Sequence, residues 1–198
     1  HKSSRGLGDV YKRQDMNTSS IGSINFSSLR GVAYNGEFFA LGETDNKNIY
    51  IWKGIPGLND EPDYIIQNPV GVGRIDMNDE WLVVSAYPGA GSPVHVINLT
   101  NLDSGIMLPV PGNDDFPQGV SINEKGFFIA LQGSNKVVGW SSVQDALNGS
   151  SPTMSFGGTT NKTNSGTKMA STVHWDGFHL WVGEFKFSNR LLGFAPSK

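Results

Sequence analysis

The chain has 198 residues, 37% hydrophobic and only 17% charged, with 25 glycines, 10 prolines and no cysteine. That length buries a real core. The glycine load and thin charge suit a turn-rich β protein and speak against a helical one, which needs more Ala, Glu, Lys and Leu. A net charge of −3 with no basic cluster beyond the N-terminal stretch argues against nucleic acid, no apolar run is long enough to span a bilayer, and the lack of cysteine excludes disulfides and thiolate metal sites.

His1 to Gln14 are basic and carry no strand pattern, and Gly6 to Gln14 resembles a translated sequencing adapter. The segment is set outside the fold as an artefactual or disordered tail. The reading frame is then expected to be an N-terminally truncated fragment that has lost any signal peptide. Ile21 to Phe26 is apolar enough for one strand, either the closing strand of a last repeat or the outer strand of a lost one.

From there four segments share one plan, spanning 29–67, 70–109, 116–157 and 169–198 within a single domain over 15–198. Each begins with a short apolar strand and a tight turn: Asn35-Gly36, Asn78-Asp79, Glu124-Lys125-Gly126, Asp176-Gly177. Asn-Gly and Asp-Gly reach positive φ at little cost, so they close hairpins. A mostly apolar second strand follows, as for a strand buried on both faces. A third strand ends in Trp52, Trp140 or Phe194, and a less regular fourth strand closes the unit. Phe38, Trp81, Phe127 and Phe178 are read as matching core positions. Ser142 to Asn148 fits at most two turns of helix.

The markers Gly36, Asp79, Gly126 and Gly177 are 43, 47 and 51 residues apart. Four strands per unit at that period indicate an all-β protein, a β-propeller of four-stranded antiparallel blades. A β-sandwich explains the strands but not the recurring plan.

Asn135-Lys136-Val137-Val138-Gly139-Trp140 and Asn189-Arg190-Leu191-Leu192-Gly193-Phe194 resemble the Asn-Arg-Val core of NHL repeats. Lys47-Asn48-Ile49-Tyr50-Ile51-Trp52 is a degenerate version. Ile51 to Pro56, Glu61 to Asp63 and Ser142 to Gly149 resemble turns and an insertion of bacterial NHL proteins. The second segment departs from the pattern over Ala86 to Pro93. The resemblance implies five or six blades, so the four visible ones are expected to form an incomplete ring. A self-contained four-bladed ring is the alternative.

Propellers place ligands at the central channel. Glu43 and Glu184 occupy matching places after a glycine at the end of a second strand, and converging there they would bind Ca²⁺. The plainer reading is that each accepts hydrogen bonds from its own turn. His174 and Trp175 lie on an inner strand and are channel or ligand candidates, while His95 and His179 are read as structural. Trp175, Tyr87 and Tyr34 could line a sugar- or peptide-binding face. The loop 157–168, rich in Gly, Thr and Asn, is the candidate recognition loop. No nucleophile elbow, Walker or dinucleotide motif is present. The leading expectation is a binding or scaffold propeller, exported, whose partner is a protein or a small-molecule or carbohydrate ligand. The alternative is a metal-dependent lactonase-like or other hydrolase or lyase propeller that uses Glu43 and Glu184.

Overall fold

The computed structural model describes residues 26–57, 59–87, 93–110, 116–158, 166–185 and 190–195. Among them no helix is long and apolar enough to cross a membrane. Four antiparallel sheets follow one another around a common axis, the arrangement of a four-bladed β-propeller. Blade 1 holds β1 (Leu29–Tyr34), β2 (Phe38–Glu43), β3 (Asn48–Lys53) and β4 (Tyr64–Gln67). Blade 2 holds β5 (Val72–Met77), β6 (Trp81–Ala86), β7 (Val94–Asn98) and β8 (Asn101–Leu108). Blade 3 holds β9 (Pro117–Asn123), β10 (Gly126–Leu131), β11 (Lys136–Trp140) and β12 (Met154–Gly157). Blade 4 has three described strands, β13 (Ala170–Trp175), β14 (Leu180–Glu184) and β15 (Leu191–Phe194). One short helix, α1 (Val143–Leu147), follows β11. The Ser142 hydroxyl accepts from Asp145 N–H at its start.

Every blade turns from its first to its second strand on one side chain. The Asn35 Oδ1 accepts from the N–H groups of Glu37 and Phe38, and Asn78 Oδ1 from those of Glu80 and Trp81. Asn123 Oδ1 accepts from Lys125 N–H, and Asp176 Oδ1 from Phe178 and His179 N–H. A short carboxyl or amide side chain satisfies the turn's own donors, which is why Asn or Asp stands there in all four.

Recurrence of an aromatic at this place predicts packing between blades; Trp140 and Phe194 do so, whereas Trp52 packs within its own blade against Leu41, Tyr50 and Phe39. Trp52 and Trp140 are buried, and their indole N–H groups donate to Asp60 O at 3.0 Å and Ser150 O at 2.8 Å. Phe194 lies against Phe156 with ring centroids 4.5 Å apart. The expected matching of Phe38, Trp81, Phe127 and Phe178 is met only by Phe127: Phe38 and Trp81 stand one residue before the aligned position and Phe178 two, and Phe178 is 74% exposed. Cross-strand pairing aligns Phe39, Leu82, Phe127 and Leu180, opposite Trp52, Ile97, Trp140 and Phe194. Phe178 is held inside the Asp176 turn by its own N–H, so the buried position passes to Leu180.

The structure also explains the Asn of the repeat motif. Asn135 has φ 57° and its equivalent Lys47 has φ 59°. A left-handed residue before the third strand favours Asn or Gly. Asn135 is also used three times by the chain that follows, its O accepting from Gly158 N–H and the Thr167 hydroxyl and its Oδ1 from Met169 N–H.

Successive blades pack face to face. β1 lies on β5, β5 on β9 and β9 on β13. Each interface has its own core: Ala33, Ile49 and Ile51 against Ile75, Leu82 and Val84; Val83, Val94 and Val96 against Val120, Phe127 and Ile129; Phe128 and Val137 against Val173, Leu180 and Val182. Side-chain bonds cross at the ends of the second strands. Thr44 Oγ1 donates to Val72 O, Ser85 Oγ to Gln118 O and Gln132 Nε2 to Ser171 Oγ. Among the described residues no packing of comparable extent joins β13 to β1.

Candidate functional site

The four inner strands bring side chains from every blade to one axial cavity of about 560 Å³. Its polar wall consists of Tyr34 from β1, Arg74 and Asp76 from β5, and Thr172 and His174 from β13.

Strand alternation decides which way these side chains point. The residue two places before each turn Asn or Asp (Ala33, Asp76, Ser121, His174) points toward the next blade. Asp76 Oδ2 accepts from Ile122 N–H of blade 3 at 2.9 Å, and Oδ1 accepts from its neighbour Met77 N–H at 3.0 Å. Ser121 also hydrogen-bonds the Asp76 carboxyl, and its Oγ accepts from Trp175 N–H of blade 4 at 3.3 Å. Burial raises the Asp76 carboxyl above the ordinary Asp range, against the opposing pull of these hydrogen bonds and of nearby His174.

Arg74 is placed differently. One guanidinium nitrogen, Nη1, donates to Arg30 O at 3.0 Å, and among the described residues it joins no ion pair. The cavity therefore carries a guanidinium and an imidazole, while its one carboxyl is already held by three donors.

The residues singled out from the sequence fall into three places. His174 is on the cavity wall. Trp175 is not: its ring stacks on Phe128 at 6.1 Å, within the core between blades 3 and 4. Glu43 and Glu184 lie off the axis, on blades 1 and 4, each engaged at the entrance to its own blade. Glu43 is fully buried and accepts from Ser27 N–H at 2.7 Å, Ser27 Oγ at 2.9 Å, Asn46 Nδ2 at 3.0 Å and Tyr50 O–H at 2.7 Å. Desolvation pushes its carboxyl up, but these donors outweigh it and hold the group below the usual range. Glu184 Oε1 accepts from Lys168 N–H at 2.6 Å, the counterpart of the Ser27 bond. The guanidinium of Arg190 grips both Glu184 oxygens, each at 2.8 Å. Each Glu thus fastens the residue that leads into its blade's inner strand. Among the described residues no group of three or more His, Asp or Glu is placed to hold a metal ion.

His95 is buried, its Nδ1 2.7 Å from Asn68 Oδ1 and its ring against Gly105. Asn68 Nδ2 donates to Val70 O, so its Oδ1 is free to accept and Nδ1 of His95 carries the proton. Tyr34 lies on the cavity wall and Tyr87 under the Arg30 guanidinium, 3.5 Å from its ring centroid. Residues 159–165 of the expected recognition loop lie outside the described residues, as does most of 21–26. Phe26, at the end of that segment, packs edge-on against Tyr50.

Sequence reading missed Arg74 and Asp76, which sit in the blade whose motifs are weakest. The signal was present: Asp76 stands two residues before Asn78, as His174 stands two before Asp176. A larger cleft of about 880 Å³ opens between the turns of blades 2 and 3, lined by Trp81, Asn123, Glu80, Glu124 and the start of α1.

No protein-family model and no curated protein matches the chain. Solved structures do match in fold. The computationally designed Ika4 protein aligns over 89% of this chain and 96% of its own, at 12% identity and a TM-score of 0.58. A chain of the nidogen/laminin complex aligns over 89% of this chain and 66% of its own, at 12% identity and TM-score 0.63. The designed Ika8 protein aligns over 89% and 50%, at 10% identity and TM-score 0.57. This chain thus spans nearly all of one of these relatives and about two thirds and half of the others. At such identities the likeness establishes the propeller fold.

Proposed function

We propose that the chain is a non-catalytic binding propeller of the NHL-repeat kind, whose axial cavity takes an acidic group of a ligand or partner. One observation carries the reading: Arg74 and His174, from blades 2 and 4, face a single cavity where Arg74 joins no ion pair among the described residues and the one carboxyl, Asp76, already accepts from three donors. A guanidinium with unused donors matches a carboxylate better than any neutral group. NHL kinship is supported by the recurring third-strand motif and by the left-handed backbone at its first position. Partner binding is in keeping with the similarity to a chain of the nidogen/laminin complex.

The test is calorimetric titration with succinate, citrate and inorganic phosphate, on the wild type and on Arg74→Ala. One lost charged hydrogen bond is about 1.5–3 kcal/mol, so the variant should bind roughly ten- to a hundredfold more weakly. Binding that survives Arg74→Ala unchanged, or no binding of any of the three, refutes the assignment.

A further inference from the structure

The face that carries the first turn of each blade starts a series of ties and does not finish it. Asn35 Nδ2 donates to Asn78 O of the next blade at 2.8 Å, which joins the turns of blades 1 and 2. Neither Asn78 nor Asn123 hands its own amide on in this way. Asn123 Nδ2 is buried and has no partner among the described residues. The Asn78 side chain accepts from its own turn through Oδ1, while its Nδ2 meets no acceptor among the described residues. Where the tie is missing, between the turns of blades 2 and 3, the cleft of about 880 Å³ opens. Sites for small molecules are of that size, roughly 300–1,000 Å³.

One wall of this cleft is an indole. Phe38 and Trp81 are equivalent, each donating its N–H to the Oδ1 of the turn Asn before it. Phe38 is buried in the core between blades 1 and 2. Trp81 is only partly buried; it rests on the core between blades 2 and 3 and lines the cleft. The indole N–H groups of Trp52, Trp140 and Trp181 donate within the fold, whereas that of Trp81 has no acceptor among the described residues. Acceptors line the same cleft. Glu80 and Glu124 are exposed there and join no ion pair among the described residues.

We infer that this cleft is a second binding site, for a neutral sugar with one ring laid on the Trp81 indole. The mixture of groups selects the ligand. Carboxylates alone would suit a cation, but an ammonium group has no acceptor to offer the N–H groups of Trp81, Asn78 and Asn123. A sugar hydroxyl both donates and accepts, so one ring satisfies both sets. Its C–H face covers the indole, an apolar surface with a polar edge. The hydroxyls donate to Glu80 and Glu124, and a hydroxyl seated against the wall at Asn123 supplies the acceptor that its amide lacks, which relieves the cost of an unmet buried donor. The cleft shares no lining residue with the axial cavity. Asn35 apart, it is built by blades 2 and 3 and the start of α1, so it does not depend on what stands between blades 4 and 1.

The test is saturation-transfer NMR and calorimetric titration of the full chain with cellobiose, N,N′-diacetylchitobiose and maltose, with spermidine as the cationic control. At least one disaccharide should bind, with the strongest transfer to its ring C–H protons. Trp81→Phe installs the residue type that blade 1 carries at this place and so keeps the strand and its packing. Glu124→Gln alters an exposed side chain and spares the fold. Each should weaken the sugar about two- to tenfold, the size of one hydrogen bond, with an unchanged circular dichroism spectrum. Failure of all the disaccharides to bind at millimolar concentration overturns the inference, and so does sugar binding that both variants leave unchanged. Spermidine binding that Glu124→Gln weakens, without any sugar binding, also overturns it and assigns the cleft to cations.

Discussion

Glu43 separates a structural carboxylate from a metal ligand. Its two oxygens take four hydrogen bonds from three residues, all within 3.0 Å, and the side chain itself is fully buried. Glu43→Ala removes the acceptor and strands the buried Tyr50 hydroxyl and the Ser27 N–H. Breaking a buried charged network of this kind costs about 3–5 kcal/mol. For a chain of this size each kcal/mol lowers Tm by roughly 2–4 °C, so a fall of about 6–20 °C is expected. Glu43→Gln keeps the shape and one acceptor oxygen but loses the charge; a cost of about 1–2 kcal/mol, the difference between charged and neutral hydrogen bonds, is expected. Differential scanning calorimetry with and without millimolar calcium reads both. Both variants should lose the same amount in either condition. If calcium instead raises the wild-type Tm by several degrees and Glu43→Gln abolishes that rise, Glu43 is a metal ligand and the clamp account is wrong.

Three further outcomes follow from the geometry. Burial depresses the basicity of His95 below the ordinary His value, so the unfolded chain takes up a proton that the folded chain resists. Stability is therefore full above about pH 6.5 and falls as pH drops toward the folded value; urea midpoints between pH 7.5 and 5 should fall more steeply for the wild type than for His95→Gln, and parallel curves would refute the assignment. Gly71→Ala should destabilise the chain by about 3 kcal/mol or more, seen in the same melts, because its Cβ would meet the backbone O of Tyr87, which has no rotamer to yield. Lys47→Asn, at φ 59°, should raise stability by about 0.5–1 kcal/mol by restoring the residue type the motif carries in blade 3; an unchanged or lower Tm would show that another contact of Lys47 governs the turn.

The sequence by itself determined the blade. Turn residues recur at Asn35, Asn78, Asn123 and Asp176 because the turn donors are satisfied locally, and apolar second strands follow because both faces are covered. Trp52 and Trp140 were legible as core for the same reason, since a repeated aromatic reports a repeated buried position. Even here, an exact strand register was not legible: a turn holding Phe178 moved the buried position to Leu180, and only cross-strand pairing reveals that.

What only the tertiary structure decided concerns neighbours. Whether Glu43 and Glu184 converge on the axis or fasten their own blades depends on where Ser27, Tyr50, Lys168 and Arg190 arrive in space. Arg74, Asp76 and His174 come together only when blades 2 and 4 are set around one axis, about a hundred residues apart in the chain. The exposure of single strand positions is likewise invisible in one dimension. Val32 and Leu191 carry the same kind of apolar side chain as their buried equivalents, and exposure belongs to whatever stands opposite, which strand periodicity does not encode.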